Sequence, residues 1–323
     1  MTDMKLTLCL LALMGFAAAA SLLVDGFPLA DWLAGEATAH LILTELRLPR
    51  LLTGLLVGAG LGGAGAALQG YFRNPLADPG IVGVTSAAGL GAVTALYFGA
   101  AGVFALAVPA AAIAGAALGA VLLLLIAGPR ARATTLILSG VAVGALANAL
   151  TALLMNFSPN PWALSEIAYW LMGSLTNVSW TETKIAAPLI LAGLAILALN
   201  RRALDALSLG EDAASSLGFD LGRVKLLIVA GTALAVGGGV AVAGAIGFVG
   251  LVVPHLLRRF VAHEPGRLIL PSALGGAALL TLADAATRLM SGQGLPLYLG
   301  VATALLGAPF FLWLVRTAAR RAP

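Results

Sequence analysis

The chain has 323 residues, of which 60% are hydrophobic and only 10% are charged, and its mean hydropathy is +1.02. That balance excludes an ordinary soluble domain and points to a protein embedded in lipid. The single cysteine, Cys9, excludes an intrachain disulfide and a cysteine metal cluster, and His40, His255 and His263 are too scattered to suggest a metal site.

Apolar runs and their punctuation predict ten helices, at 5–24, 48–72, 80–98, 103–127, 134–155, 184–200, 224–243, 247–262, 268–290 and 295–316. The runs do not alternate, so the expected fold is all-α and polytopic rather than a barrel, with 1–323 forming one transmembrane domain. The first 21 residues share features with a secretory leader, since Lys5 precedes an apolar stretch and Ala17 to Ala20 lead to Ser21. Asp3 cancels the charge of that leader, and the segment is read as the first span. In the second span Gly54, Gly58, Gly62, Ala66 and Gly70 recur every four residues, a stripe that lets another helix come close. Gly115 and Gly119 repeat the device. After the second span, Pro75 and Pro79 stiffen a turn in which Asn74 can bond nearby backbone. The stretch 224–262 is too long for one crossing, so a break is expected at Gly237-Gly238-Gly239 or at Gly244 to Gly247, leaving a short second helix.

Charge tests this arrangement. With both termini in the cytoplasm, fourteen of the eighteen Lys and Arg fall on that side, the exceptions being Arg47, Arg50, Lys184 and Arg288. The net charge of +4 is therefore topology signal and no sign of a nucleic-acid partner.

Two polar features stand out. The first is LSLGEDAASSLGFDLGRVK, Leu207 to Lys225, where Gly210-Glu211-Asp212 opens a short helix, Ala213, Ala214 and Leu217 form its apolar face, and Gly218 ends it. A plain connector needs only about two to eight residues, so this one is read as a contact surface, against the simpler reading of a solvated loop. The second is the set of outward arginines. Arg47, Arg50 and Arg288 could snorkel as anchors, with Asp284 one turn before Arg288 as an ion-pair partner, or could form an electropositive rim for the acidic groups of a soluble protein. The three lysines, Lys5, Lys184 and Lys225, follow Met4, Thr183 and Val224, which excludes a P-loop.

RLPR, the small-residue stripe, Gln69, NPLADPG followed by Ile81-Val82-Gly83-Val84, LGEDAASSLG, GFVGLVVPHLLRR, the Asp284 to Arg288 element and Pro296 through Gly307-Ala308-Pro309-Phe310 together resemble the FecCD permeases. These are membrane subunits of ATP-driven importers for vitamin B12, ferric siderophores and haem, and the resemblance runs from about Leu46 to Leu314. It implies a type II ABC importer fold in the bacterial inner membrane, and a homodimer with its passage on the two-fold axis. It also implies a coupling loop at about 202–222, whose Leu209, Gly210, Glu211, Ala214, Leu217 and Gly218 dock on two copies of a cytoplasmic ATPase subunit. Arg47, Arg50 and Arg288 would meet glutamates of a periplasmic substrate-binding protein, and Asn74, Leu76, Thr134 and Thr135 would lie near the cytoplasmic constriction. Trp162 to Trp180 matches a short periplasmic helix and a turn containing Trp170, Gly173 and Ser174. Gln293-Gly294-Leu295-Pro296 departs from the family, which often has an acidic residue just before the Leu-Pro. The chain itself is not expected to be an enzyme or to hold a cofactor.

A ferric siderophore is the favoured cargo, as the commonest of the family, with cobalamin or haem as alternatives. An ion-coupled secondary transporter is the alternative class, and a purely structural membrane scaffold is a second one. Most acidic residues lie in loops or at span ends, which weakens the secondary transporter.

Overall fold

The computed structural model describes residues 3–319 apart from Phe27, Arg130 and 292–295. The charges at Arg130, Arg320 and Arg321 and the departure at Gln293 to Leu295 thus lie outside the described residues, among which the only regular elements are helices. α1 (Asp3–Leu23) is followed by two five-residue helices, α2 (Leu29–Leu33) and α3 (Ala37–Leu41). A π-helical segment, Ile42–Arg47, leads without a gap into α4 (Leu48–Tyr71). Pro49 has no N–H to offer the carbonyl four residues back, and the helix widens just before it.

A single 3-10 turn, Pro79–Val82, and Gly83 at φ 76° precede α5 (Val84–Tyr97). α6 (Ala107–Ala127), α7 (Ala133–Asn156) and the short α8 (Pro161–Leu171) come next, the last capped by Asn160, whose Oδ1 accepts from the Ala163 N–H at 2.9 Å. α9 (Trp180–Leu199) begins four residues before the predicted 184. The reason is a capping box: the Ser179 N–H donates to Glu182 Oε2 at 2.8 Å, and the Ser179 hydroxyl accepts in return from the helix's first turn.

An unpredicted short helix, α10 (Arg201–Leu207), leads into the polar island Leu207 to Lys225, which holds the expected one, α11 (Glu211–Ser216). Asp220 caps α12 (Leu221–Ala243), and α13 (Val249–Leu257), α14 (Pro265–Met290) and α15 (Leu299–Ala319) complete the chain.

Every predicted span contains a helix, but only eight helices among the described residues are long and apolar enough to cross a membrane. α5, with 14 residues, rises about 21 Å and α13, with nine, about 14 Å, both short of the roughly 30 Å of hydrocarbon. The break in 224–262 falls at Gly244, whose φ is 69°, while the triple glycine stays inside α12. There its bare faces admit neighbours: Gly237 meets Ala116, Gly238 meets Leu189 and Gly239 meets Val57.

The core is built around α4. Gly58 lies against the Gly276 carbonyl and Gly62 against the Ser272 carbonyl of α14, so closely that a Cβ at either position would overlap backbone. Gly54 faces Leu175 and Thr281, and Gly70 faces Pro265, so the predicted stripe is the seam between α4 and α14. Gly65, off the stripe, lies against the Gly250 backbone of α13. Gly115 packs on the Ala87 carbonyl, as its spacing suggested, and Gly91 returns the contact to Ala111, joining α5 to α6. Close backbone approach supplies dispersion contact where lipid removes the hydrophobic drive between helices.

Candidate functional site

Two polar clusters lie at opposite ends of the bundle. α14 fixes the distance between them, because Gly266 in its first turn bonds Asp205 of α10, just before the island, while Arg288 in its last turn joins the arginine cluster, 22 residues or about 33 Å further along.

At the arginine end the last carbonyls of α1 lack helical partners, and arginines supply them. Arg47 Nη1 donates to the carbonyl of Leu22 and, at 2.6 Å, to that of Val24. Arg288 Nη2 donates to the Ser21 carbonyl at 2.7 Å and to the Ser21 hydroxyl at 2.9 Å. Arg50 grips Asp284 with both prongs, Nε to Oδ2 and Nη2 to Oδ1, each at 2.9 Å. The expected pair of Arg288 and Asp284 is present, but longer, at 3.4 Å, and Arg288 Nη1 stands 3.6 Å from Asp25. The structure therefore brings Arg47, Arg50 and Arg288 together as predicted, and adds what spacing did not reveal: two carboxylates and three backbone carbonyls already face them. A cavity of about 330 Å³ opens between Asp25, Arg50, Asp284 and Arg288, with the hydroxyl residues Ser174, Thr176, Thr287 and Ser291 around it.

Beside this cavity the predicted turn after α8 forms a junction. The Ser174 N–H donates to the Ala243 carbonyl at 2.8 Å, and Gly173, Gly244 and Gly300 meet so tightly that a Cβ on any of them would strike backbone. Trp180 Nε1 donates to the Thr44 carbonyl at 2.8 Å and ties α9 to the segment before α4.

At the other end α10 is fastened by Asp205, whose Oδ1 accepts from the Gly266 N–H at 2.7 Å. Gly210, at φ 114°, turns the chain into α11, and Gly218, at φ 90°, ends it where expected. Ala214 is buried, but Leu217 is not on the buried face: it is 62% exposed, and Leu209 is 72% exposed. The helix is too short to bury more than one side, and its two leucines flank it like pegs. Glu211 Oε1 accepts from the Ala133 N–H, the first of α7, at 3.5 Å, a long bond beside Thr134 and Thr135, both exposed. Lys225 Nζ donates to the carbonyls of Gly128 at 2.5 Å and Pro129 at 2.9 Å, which holds the turn between α6 and α7. A cavity of about 530 Å³ lies between Tyr71, Pro129, Glu211 and Phe219.

Asn74 and Leu76 occupy the turn beyond α4 at this same end, and Asn74 Oδ1 accepts from the Leu76 N–H at 2.9 Å, as the proline-stiffened turn suggested. Asp78 ends that turn by accepting from the Gly80 N–H at 2.8 Å; burial pushes its carboxyl up from the ordinary range and this hydrogen bond pulls it partly back. Gln69 was the side chain whose role went unread. Buried in α4, its Nε2 faces the carbonyls of Ala77, Gly250 and Leu251 at 3.2–3.3 Å, while its Oε1 accepts from Arg258 Nη2 at 2.6 Å. One amide thus joins the Asn74 turn to α13, and its signal in the sequence was a lone polar group deep in an apolar span.

The FecCD transport family model matches residues 6–317. The vitamin B12 import system permease protein BtuC of Vibrio cholerae is 44% identical over 91% of this chain and 88% of its own length. The cobalamin import system permease protein BtuC of Halobacterium salinarum is 42% identical over 86% of this chain and 74% of its own length. A solved inward-facing structure of a protein classed as a metal-chelate type ABC transporter superposes with a TM-score of 0.86 at 33% identity, covering 98% of this chain and 99% of that one. A helical membrane protein with this glycine seam, island and arginine end, matched by that family model over nearly its whole length, belongs to the FecCD transport family.

Proposed function

We propose that this chain is the permease subunit of an ATP-driven cobalamin importer in the bacterial inner membrane. It works as a homodimer, with two copies of a separate cytoplasmic ATPase subunit and a periplasmic substrate-binding protein. The observation that carries the cargo is the 44% identity to the Vibrio cholerae vitamin B12 permease over 91% of this chain, and it displaces the ferric siderophore favoured from the sequence. Haem stays the weaker alternative.

In this reading both termini and the island face the cytoplasm and the arginine cluster faces the periplasm. The exposed Leu209 and Leu217 enter a cleft of the ATPase, with Gly210 and Gly218 giving the loop its shape and Ala214 seating it on the bundle. Movement of α11 passes through Glu211 to the start of α7, where Thr134 and Thr135 lie, and toward the Asn74–Leu76 turn across the cavity beside Tyr71. ATP biases the bundle between outward-facing and inward-facing packings only through contacts that differ in the two states, and this surface supplies them.

The test is competition. Vesicles holding the permease with its ATPase and binding protein should take up labelled cyanocobalamin, and unlabelled cyanocobalamin should block that uptake at concentrations where ferrichrome and haemin do not. Uptake of ferrichrome with no uptake of cyanocobalamin would overturn the cargo assignment.

A further inference from the structure

We infer that Asp25 is an internal stand-in for the docking protein's carboxylate, held against Arg288 in the free permease and displaced when a partner binds. The inference rests on the docking role that the family resemblance implies for Arg47, Arg50 and Arg288 on the periplasmic face of the proposed importer, and it names the residue that sets the strength of that docking.

The five charged groups of the cluster are unequal. Asp284 has a side chain 3% exposed, is chelated by Arg50 through two bonds of 2.9 Å and also faces Arg288, so a visiting carboxylate that displaced it would leave Asp284 itself a buried, unpaired anion. Arg47 spends its bonds on the end of α1. Arg288 is committed through Nη2 to Ser21, but among the described residues its Nη1 meets only Asp25, at 3.6 Å, a separation of charge contact rather than of a made hydrogen bond. The Asp25 side chain is 44% exposed, follows the end of α1 with φ 63° and borders the cavity that Arg50, Asp284 and Arg288 share. A carboxylate entering that cavity finds the Arg288 prong occupied by the one acid that can swing away at little cost. Its exposure makes the contact weak, so displacement tunes affinity instead of blocking docking.

Asp25→Asn tests this, since asparagine keeps the shape and tolerates the left-handed backbone. The full chain in nanodiscs is treated with phenylglyoxal, with Arg288 modification followed by mass spectrometry, and titrated with poly-L-glutamate as the carboxylate probe. D25N should modify Arg288 about threefold faster and bind poly-L-glutamate about two- to fivefold more tightly at low salt, the gain fading at high salt. Asp31→Asn, an exposed acid in α2, should change neither. Unchanged Arg288 reactivity in D25N, or an equal gain in D31N, would overturn the assignment of Asp25 while Arg288→Gln still weakened glutamate binding. A reactive Arg288 in D25N that binds poly-L-glutamate no more tightly would instead sink the docking reading and the inference with it.

Discussion

Asp284→Ala is expected to destabilise the permease by about 3–5 kcal/mol, because it leaves two largely buried guanidiniums facing each other with their shared carboxylate gone. Arg50 and Arg288 are 17% and 11% exposed at their side chains, so neither can recover full hydration where it stands. The cost should appear as a lowered midpoint in thermal or chemical unfolding in detergent, with α1 loosened first, since Arg288 also holds its last turn at Ser21. Asp284→Asn keeps the volume and one acceptor and should cost less, about 1–3 kcal/mol. The pair Arg50→Met with Asp284→Leu removes both halves of the strongest contact and should recover part of the loss seen for Asp284→Ala alone. If Asp284→Ala unfolds within about 1 kcal/mol of the parent, the cluster contributes little to holding α1, α4 and α14 together.

Glu211→Lys carries the second large effect, on transport rather than stability. The carboxylate sits at the positive end of α7, where a negative charge is worth about 0.3–1 kcal/mol and a positive one costs a similar amount. α11 remains seated by Ala214 and α10 by Asp205, so the folded protein should lose no more than about 1–2 kcal/mol. A shift of 1.4 kcal/mol in the balance between two packings is about tenfold in their populations, so uptake by the reconstituted importer should fall about tenfold while ATP hydrolysis continues. Glu211→Gln keeps an acceptor for the Ala133 N–H and should retain most of the uptake. Undiminished uptake by the lysine variant would remove Glu211 from the coupling route.

The spans were legible because length and apolarity are local properties: each of the ten predicted runs contains a helix, and Gly218 and Gly244 stop theirs through backbone shape alone. The glycine stripe was equally readable, since a spacing of four on one helix can serve only one face. What escaped was non-local or too short to leave a period. Arg50 and Asp284 stand 234 positions apart, and no spacing rule joins them. The i,i+4 relation of Asp284 and Arg288 was visible and real, yet it is the lesser contact. α10 is absent from the predicted helices because seven residues make fewer than two turns, too few to show a hydrophobic period, and the apolar face read for Ala213, Ala214 and Leu217 divides for the same reason, Ala214 being buried and Leu217 exposed. α5 was drawn too long because the turn at 79–82 is as apolar as the helix it precedes, and only the left-handed Gly83 separates them. The start of α9 was recorded in Ser179 and Glu182, but an apolarity scan passes over a polar capping box.

All of this depends on the bundle being driven from its island end. The most direct measurement is accumulation of cyanocobalamin by sealed vesicles containing the purified permease, with the binding protein on the outer face and the ATPase subunit either present or left out. Accumulation above the external concentration should require both ATP and the ATPase, and should be indifferent to collapse of proton and sodium gradients. Uphill accumulation by the permease without the ATPase, abolished when an ion gradient is dissipated, would contradict the account and identify the chain as an ion-coupled carrier.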